Sequence, residues 1–155
     1  MFHEMNIDCD TIEQYLHEHI PLSQAMGVSV NSIDERGVML SAPLLPNINH
    51  RSTVFGGSIS TIAILSAWTL VHVRLQALNL HYRIVIKSNR IDYLKSIEGD
   101  FQAHCLTPPQ RDWDQFIASL DRRGKGRIML NAEVAAGGVI GAKFRSEERR
   151  VGKEC

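Results

Sequence analysis

Net charge is what this sequence has least of: 17 lysines and arginines stand against 17 aspartates and glutamates. A surface built for phosphate backbones needs a clear basic excess, so the balance excludes nucleic acid as an electrostatic partner. Cysteine is scarce as well. Cys9, Cys105 and Cys155 show neither CxxC spacing nor an even framework, which points to a reducing cytoplasm rather than a secreted disulfide scaffold. No basic segment leads into an apolar one at the start, so no signal peptide is expected. The seven histidines show neither HExxH nor HxxEH spacing and do not cluster with cysteine, so no metal is expected. What remains, 155 residues of which 44% are hydrophobic, is one domain able to bury a core without staples.

Residues 145–155 lack apolar side chains almost entirely and follow an apolar alternation that looks unfinished. They resemble the translation of a sequencing-adapter read-through, and such a segment stays out of fold reasoning. A native solvated tail would have the same composition. The expectation is a domain over 1–144, a last strand cut short near Phe144, and a foreign, disordered tail. Without the tail the domain holds 13 basic residues against 14 acidic ones.

Asp10–Ile20 reads as a helix, with Asp10 as N-cap, Glu13 completing a capping box and Pro21 stopping it. Val28–Ile33 and Val38–Ala42 read as short strands. Pro43 to Thr53, with two prolines and two asparagines, reads as loop. Strands are expected again at Ile84–Leu94, Asp100–Leu106, Arg127–Ala136 and Val139–Phe144, with Gln110–Arg123 a loop or short helix. Ile128, Leu130, Ala132 and Val134 alternate with polar neighbours, which describes a sheet with one wet face.

Phe55 to about Leu78 decides the architecture. Val54–Val73 is twenty residues without a formal charge, the length of a membrane span. Ser58, Ser60, Thr61, Ser66 and Thr69 dilute its apolarity, and no second span follows. A helix apolar on nearly every side belongs instead at the centre of a core. Helix, two strands, long buried helix, then four strands gives an α+β fold, an antiparallel sheet wrapped around one long central helix.

That is the layout of the hot-dog fold. Pro46-Asn47-Ile48-Asn49, Thr53 through Ile59 with Gly56-Gly57 inside, Ala67-Trp68, Ile91-Asp92-Tyr93-Leu94 and Lys125-Gly126-Arg127 resemble the signature of the YiiD C-terminal family. That resemblance covers roughly residues 20–144. It implies a small bacterial hot-dog domain, often labelled a thioesterase, some members being malonyl-acyl-carrier-protein decarboxylases. It further implies a thioester substrate carried on the phosphopantetheine of acyl carrier protein or coenzyme A, with no other cofactor. A homodimer with sites at the subunit boundary is expected too.

The thioester carbonyl of such an enzyme lies at the start of the central helix, where free N–H groups and the helix dipole favour negative charge. Gly56 and Gly57 allow the close approach. Many thioesterases of this fold carry His before the Gly pair and an acid two to three turns into the helix. This chain has Phe55 and Ile64 there, and no Asp or Glu from Gly56 to Leu78. Hydrolysis wants a base or nucleophile. Decarboxylation of a malonyl thioester wants only a stabilised oxyanion and neutral hydrogen bonds, which Asn47, Asn49, Thr53 and Ser58 supply. We therefore expect Asn49, Thr53 and Gly57 as catalytic residues, and Asn47, Phe55, Gly56, Ser58, Lys125 and Arg127 as substrate-binding.

Each has a plainer alternative: the asparagines as turn-formers, Thr53 as a helix cap, Ser58 bonding back along its turn. Asp92 is expected to point outward, His50 to be exposed, and His72 to be a satisfied core histidine beside a core Trp68. The basic run Arg122–Arg127 either contacts a phosphate or an acidic carrier, or is a solvated turn. Three readings stay open: malonyl-thioester decarboxylase, acyl-thioester hydrolase, and a non-catalytic acyl-binding or dimerisation module.

Overall fold

Asp8 caps the first helix. In the computed structural model, which describes residues 7–153, its carboxylate accepts from the Asp10 N–H at 3.1 Å and the Thr11 hydroxyl at 2.8 Å. Helix α1 is therefore Cys9–His19, and the expected cap is corrected: Asp10 already lies in the first turn. Glu13 closes no capping box either. Its Oε1 accepts from the Val30 N–H at 2.9 Å. Strand β1 (Ser29–Asp34) shifts register between Val30 and Ser32, and such a bulge frees an N–H for an outside partner. Pro21 opens a second short helix, α2 (Pro21–Ala25), where a missing N–H costs nothing.

The remaining elements are β2 (Gly37–Ala42), α3 (Gly56–Ala77), β3 (Tyr82–Tyr93), β4 (Phe101–Leu106), α4 (Gln110–Arg123), β5 (Arg127–Ala136) and β6 (Val139–Lys153). Gln110–Arg123 is thus a full helix, closed by Gly124 at φ 70°, the left-handed C-cap that glycine adopts most easily. The loop before α3 holds one 3₁₀ turn, Leu45–Asn47. All neighbouring strands pair antiparallel in the order β1-β2-β4-β5-β6-β3, which leaves β1 and β3 as edges.

The sheet curls around α3, as the hot-dog fold requires. Val38, Leu40, Phe101, Ala103, Leu130 and Val134 are at most 1% exposed on its inner face, and Ile62, Leu70 and Val71 of α3 are at 0%. Each buried Leu or Phe contributes about 1.5–3 kcal/mol. A one-residue slip would expose a whole strand's set, so the alternation fixes the register. Helix α3 is long and apolar enough by composition to cross a membrane, but 67% of that stretch is buried within the fold. Its less covered residues, Ser60, Thr61, Ile64, Trp68 and His72, follow helical spacing and share one side. Tyr15 of α1 covers the far end, stacked on His72 at 4.8 Å and on His19 at 4.0 Å, with Trp68 beyond at 4.6 Å from His72.

The tail is corrected. Strand β6 does not stop near Phe144 but runs on to Lys153, with Arg145 opposite both Arg90 and Asn131, and Arg149 opposite Arg127. The cause is the backbone: β3 and β5 offer ladder partners on either side, and pairing is indifferent to side chains. The cost falls on the inner face. Ser146 and Glu148 continue the inward positions of Ala142 and Phe144, each 1% exposed, and Glu148 Oε2 has no partner among the described residues. Burial pushes the Glu148 carboxyl up to about 7, against a smaller downward pull from the Ser146 hydroxyl. Ser146 and Glu148 thus place polar side chains in an otherwise apolar slot of the inner face. Residues 1–6 of the domain, with Glu154 and Cys155, lie outside the described residues.

Candidate functional site

The segment entering α3 is pinned from three directions. Ile48 and Val54 form an isolated antiparallel bridge, Val54 N–H donates to Ile97 O at 2.8 Å, and Phe55 N–H donates to Asn47 O at 2.8 Å. Asn47 is 3% exposed, and its Nδ2 donates to Met26 O at 2.9 Å and Pro43 O at 2.8 Å. Both amide protons are spent on backbone. Asn47, expected against substrate, braces the loop through these two bonds.

Asn49 ties the next turn. Its Oδ1 accepts from the N–H groups of Arg51 at 2.9 Å and Thr53 at 3.1 Å, and its Nδ2 donates to Thr53 Oγ1 at 2.9 Å. Thr53 is no cap: the N-cap of α3 is Phe55, with no side-chain cap bond. The Thr53 oxygen accepts from Asn49, and its own proton has no acceptor among the described residues. Asn49 and Thr53 are both half-buried, three to eight residues from Gly56-Gly57.

Where α3 begins, Ser58 and Ile59 donate back to Phe55 O at 2.9 and 3.1 Å, while Gly56 and Gly57 N–H find no acceptor among the described residues. Two free amides therefore stand in the first turn of an unbroken 22-residue helix, where the dipole adds its field. The neighbours show why glycine is needed. A Cβ on Gly57 would meet the Phe55 ring at 2.4 Å, and one on Gly56 would lie 3.5 Å from the Tyr93 ring. Phe55 and Tyr93, 58% and 54% exposed, flank the amides. Ser58 is half-buried and makes no side-chain bond back along its turn among the described residues.

No carboxylate comes from α3. Asp92 is exposed and faces Arg90 at 3.3 Å, and Glu98 is exposed in its turn. His50 is exposed. His72 is not satisfied as expected: its Nε2 is buried without a hydrogen bond among the described residues, and stacking takes the place of a partner. Trp68 is half-buried in the same stack rather than in the core proper. Among the described residues no three His, Cys, Asp or Glu side chains gather as a metal would need.

A family model described as "Putative thioesterase (yiiD_Cterm)" matches residues 9–147. The chain belongs to this family. Among solved structures, a "putative thioesterase" from Shewanella oneidensis superposes with a TM-score of 0.83 at 30% identity, over 92% of this chain and 96% of that one. A protein of unknown function from Chlorobaculum tepidum superposes at 0.87 with 28% identity, over 94% of each chain. The E. coli PaaI protein, from the phenylacetic acid degradation operon, shares the fold at 0.70 with 15% identity over 94% of each.

Two stretches of the YiiD C-terminal resemblance gain reasons. In Lys125-Gly126-Arg127 the glycine lets β5 start against α4, since a Cβ there would come within 3.0 Å of the Phe116 ring. The flanking cations, expected to meet substrate, lie away from the amides of the same chain. Arg127 pairs opposite Arg149, seven positions along β6 from the Ala142 that pairs with Tyr93, roughly 23 Å at strand rise. In Ile91-Asp92-Tyr93-Leu94 the missed residue is Tyr93, whose hydroxyl donates to Gly56 O at 3.0 Å. Its presence in the motif was the available signal; which side chain of the four turns to the helix follows only from the pairing of β3 with β6.

Proposed function

We propose that this protein binds an acyl thioester with its carbonyl oxygen on the Gly56 and Gly57 amides, and that its reaction is decarboxylation of a malonyl thioester to the acetyl thioester. The single observation behind this reading is the pair of unpartnered N–H groups opening a long helix that carries no carboxylate. As the C–C bond breaks, its electrons move onto the carbonyl oxygen to give an enolate, and CO2 leaves. The enolate then takes a proton from water at carbon. Preorganised amides favour the charge where it develops, and Thr53, held by Asn49, has a free hydroxyl to donate a hydrogen bond to the enolate oxygen. Nothing in that sequence needs a side-chain base. Hydrolysis to the free acid is the second reading, favoured by the description of the family.

The functional unit in this reading is a homodimer. Strand β3 is an edge of twelve residues with exposed Val85, Tyr93 and Leu94 along and just beyond it, and a long apolar edge wants a partner strand. Malonyl-loaded carrier protein and malonyl-CoA are the substrates to test, following intact mass and free thiol. Loss of CO2 with the thioester retained is the expected result. Free thiol without that loss overturns decarboxylation in favour of hydrolysis, and neither change leaves a binding module.

A further inference from the structure

An apolar cavity of about 560 Å³, a size usual for small-molecule sites, lies between α4, the end of α3 and the start of β3. Leu78 and Leu80, in the link from α3 to β3, line it together with Ile117 and Ala118 of α4. Leu78 is 50% exposed, so the chain leaves this apolar surface open to water. Helix α4 explains the opening. It turns Trp113, Phe116 and Leu120 into the core, while Gln110, Asp114, Ile117, Ala118 and Asp121 recur at helical spacing along the cavity. Two carboxylates two turns apart thus bracket an apolar middle.

The lining holds one cation, Arg74, which is 8% exposed with its guanidinium carbon 4.4 Å from the centre of the Trp113 ring. Burial lowers its pKa and the Asp114 charge works against that shift, so Arg74 and Asp114 offset one another. Asp114 also accepts from Gln110 Nε2 at 2.8 Å. Asp121 is exposed and forms no ion pair among the described residues. The cavity therefore pairs an apolar volume with one uncompensated negative charge at its rim. From this geometry we propose that it binds a small organic cation, a protonated amine on an apolar body, with the ammonium on Asp121 and the body among Leu78, Leu80 and Ile117. The ammonium then stays wet and paired while the apolar body leaves water, so no charge is buried alone. Arg74 lies about 27 Å from Gly56 along α3 at 1.5 Å per residue. The site is distinct from the helix-opening amides, and nothing in it rests on the acyl-thioester reading.

The test uses the whole chain and reads binding without turnover. Octylamine and tryptamine are titrated into the protein, each beside the carboxylate of matching shape, octanoate and indole-3-propionate, with backbone amide NMR shifts as the readout. Saturable binding of at least one amine is expected, with shifts centred on Leu78, Ile117 and Ala118, and its matching carboxylate should bind far more weakly. Asp121→Asn should weaken the amine about tenfold by removing one charged partner. Ala118→Trp, at an exposed position, fills the cavity and should abolish binding, with circular dichroism checking that both variants fold. Failure of both amines to saturate, equal binding of a carboxylate, or unchanged binding by either folded variant overturns the proposal. An equal or tighter carboxylate would make Arg74 the charge that the cavity presents.

Discussion

Asn49 donates to the hydroxyl oxygen of Thr53 at 2.9 Å while accepting the Thr53 backbone N–H at 3.1 Å. One asparagine thus fixes both ends of one threonine, and the two residues should fail differently. Thr53→Val keeps the shape and the N–H bond but removes the proton. It is expected to lower kcat about 100- to 1000-fold, the range for one lost oxyanion donor, with Tm nearly unchanged. Asn49→Ala also releases the Arg51 and Thr53 N–H groups, so it should lose comparable activity and about 1–3 kcal/mol of stability. Kinetics on malonyl carrier protein beside thermal melts separate the two. Full activity in Thr53→Val removes Thr53 from the chemistry.

Gly56 and Gly57 differ in the same useful way. At Gly57 a methyl collides with the exposed Phe55 ring, which can swing aside into solvent over the amides. Gly57→Ala should therefore keep its Tm and lose most turnover. At Gly56 the methyl only touches the Tyr93 ring at 3.5 Å, so Gly56→Ala should melt no lower than the parent, alanine being the better helix former by up to about 1 kcal/mol. Equal activity in both variants would argue against a carbonyl on the Gly57 amide.

The apolar alternation of β2 and β5 and the chargeless stretch of α3 were legible in the sequence, because burial on one face or on all sides writes itself into residue order. The helix cap was misplaced by two residues since Asp8 and Asp10 are chemically equal candidates, and only the path of the chain chooses between them. The site was half legible. Gly56 and Gly57 could be found, because a helix opening on two glycines has local meaning. The sequence carries neither the inward turn of Asn47 toward Met26 nor the length of strand that separates Tyr93 from Arg127. Strand β6 beyond Phe144 was unreadable for a different reason: its pairing comes from its neighbours' backbones, not from its own side chains.

Glu148 makes a pH prediction. Its folded pKa is about 7 against an ordinary 4.5, so the folded chain binds the proton more tightly than the unfolded one. The penalty is absent below pH 4.5 and complete above pH 7, growing to roughly 3 kcal/mol in between. Glu148→Leu should raise Tm clearly at pH 8 and far less at pH 4.5. The Cys105 thiol, raised first by burial and then by Glu148, should become more acidic in the variant. A pH-independent gain would mean that packing, not the charge, is what Glu148 costs.

His72 works in the opposite direction. Burial, then the charge of His19, lower its pKa from 6.5 to about 4, because the ring is packed against Tyr15 and Trp68 with no acceptor for a second proton. The unfolded chain binds that proton more readily, so stability is lost as pH falls from 6.5 toward 4, by roughly 3 kcal/mol. His72→Phe keeps a ring in the stack and abolishes the titration. Its melting temperature should hold or rise on acidification from pH 6.5 to 4.5, where the parent's gain from protonating Glu148 is offset by the His72 term. Thermal melts at half-unit intervals across that window read the difference. Parallel curves for parent and variant would mean that His72 is protonated as easily in the fold as out of it, and that the stack under α1 is open to water.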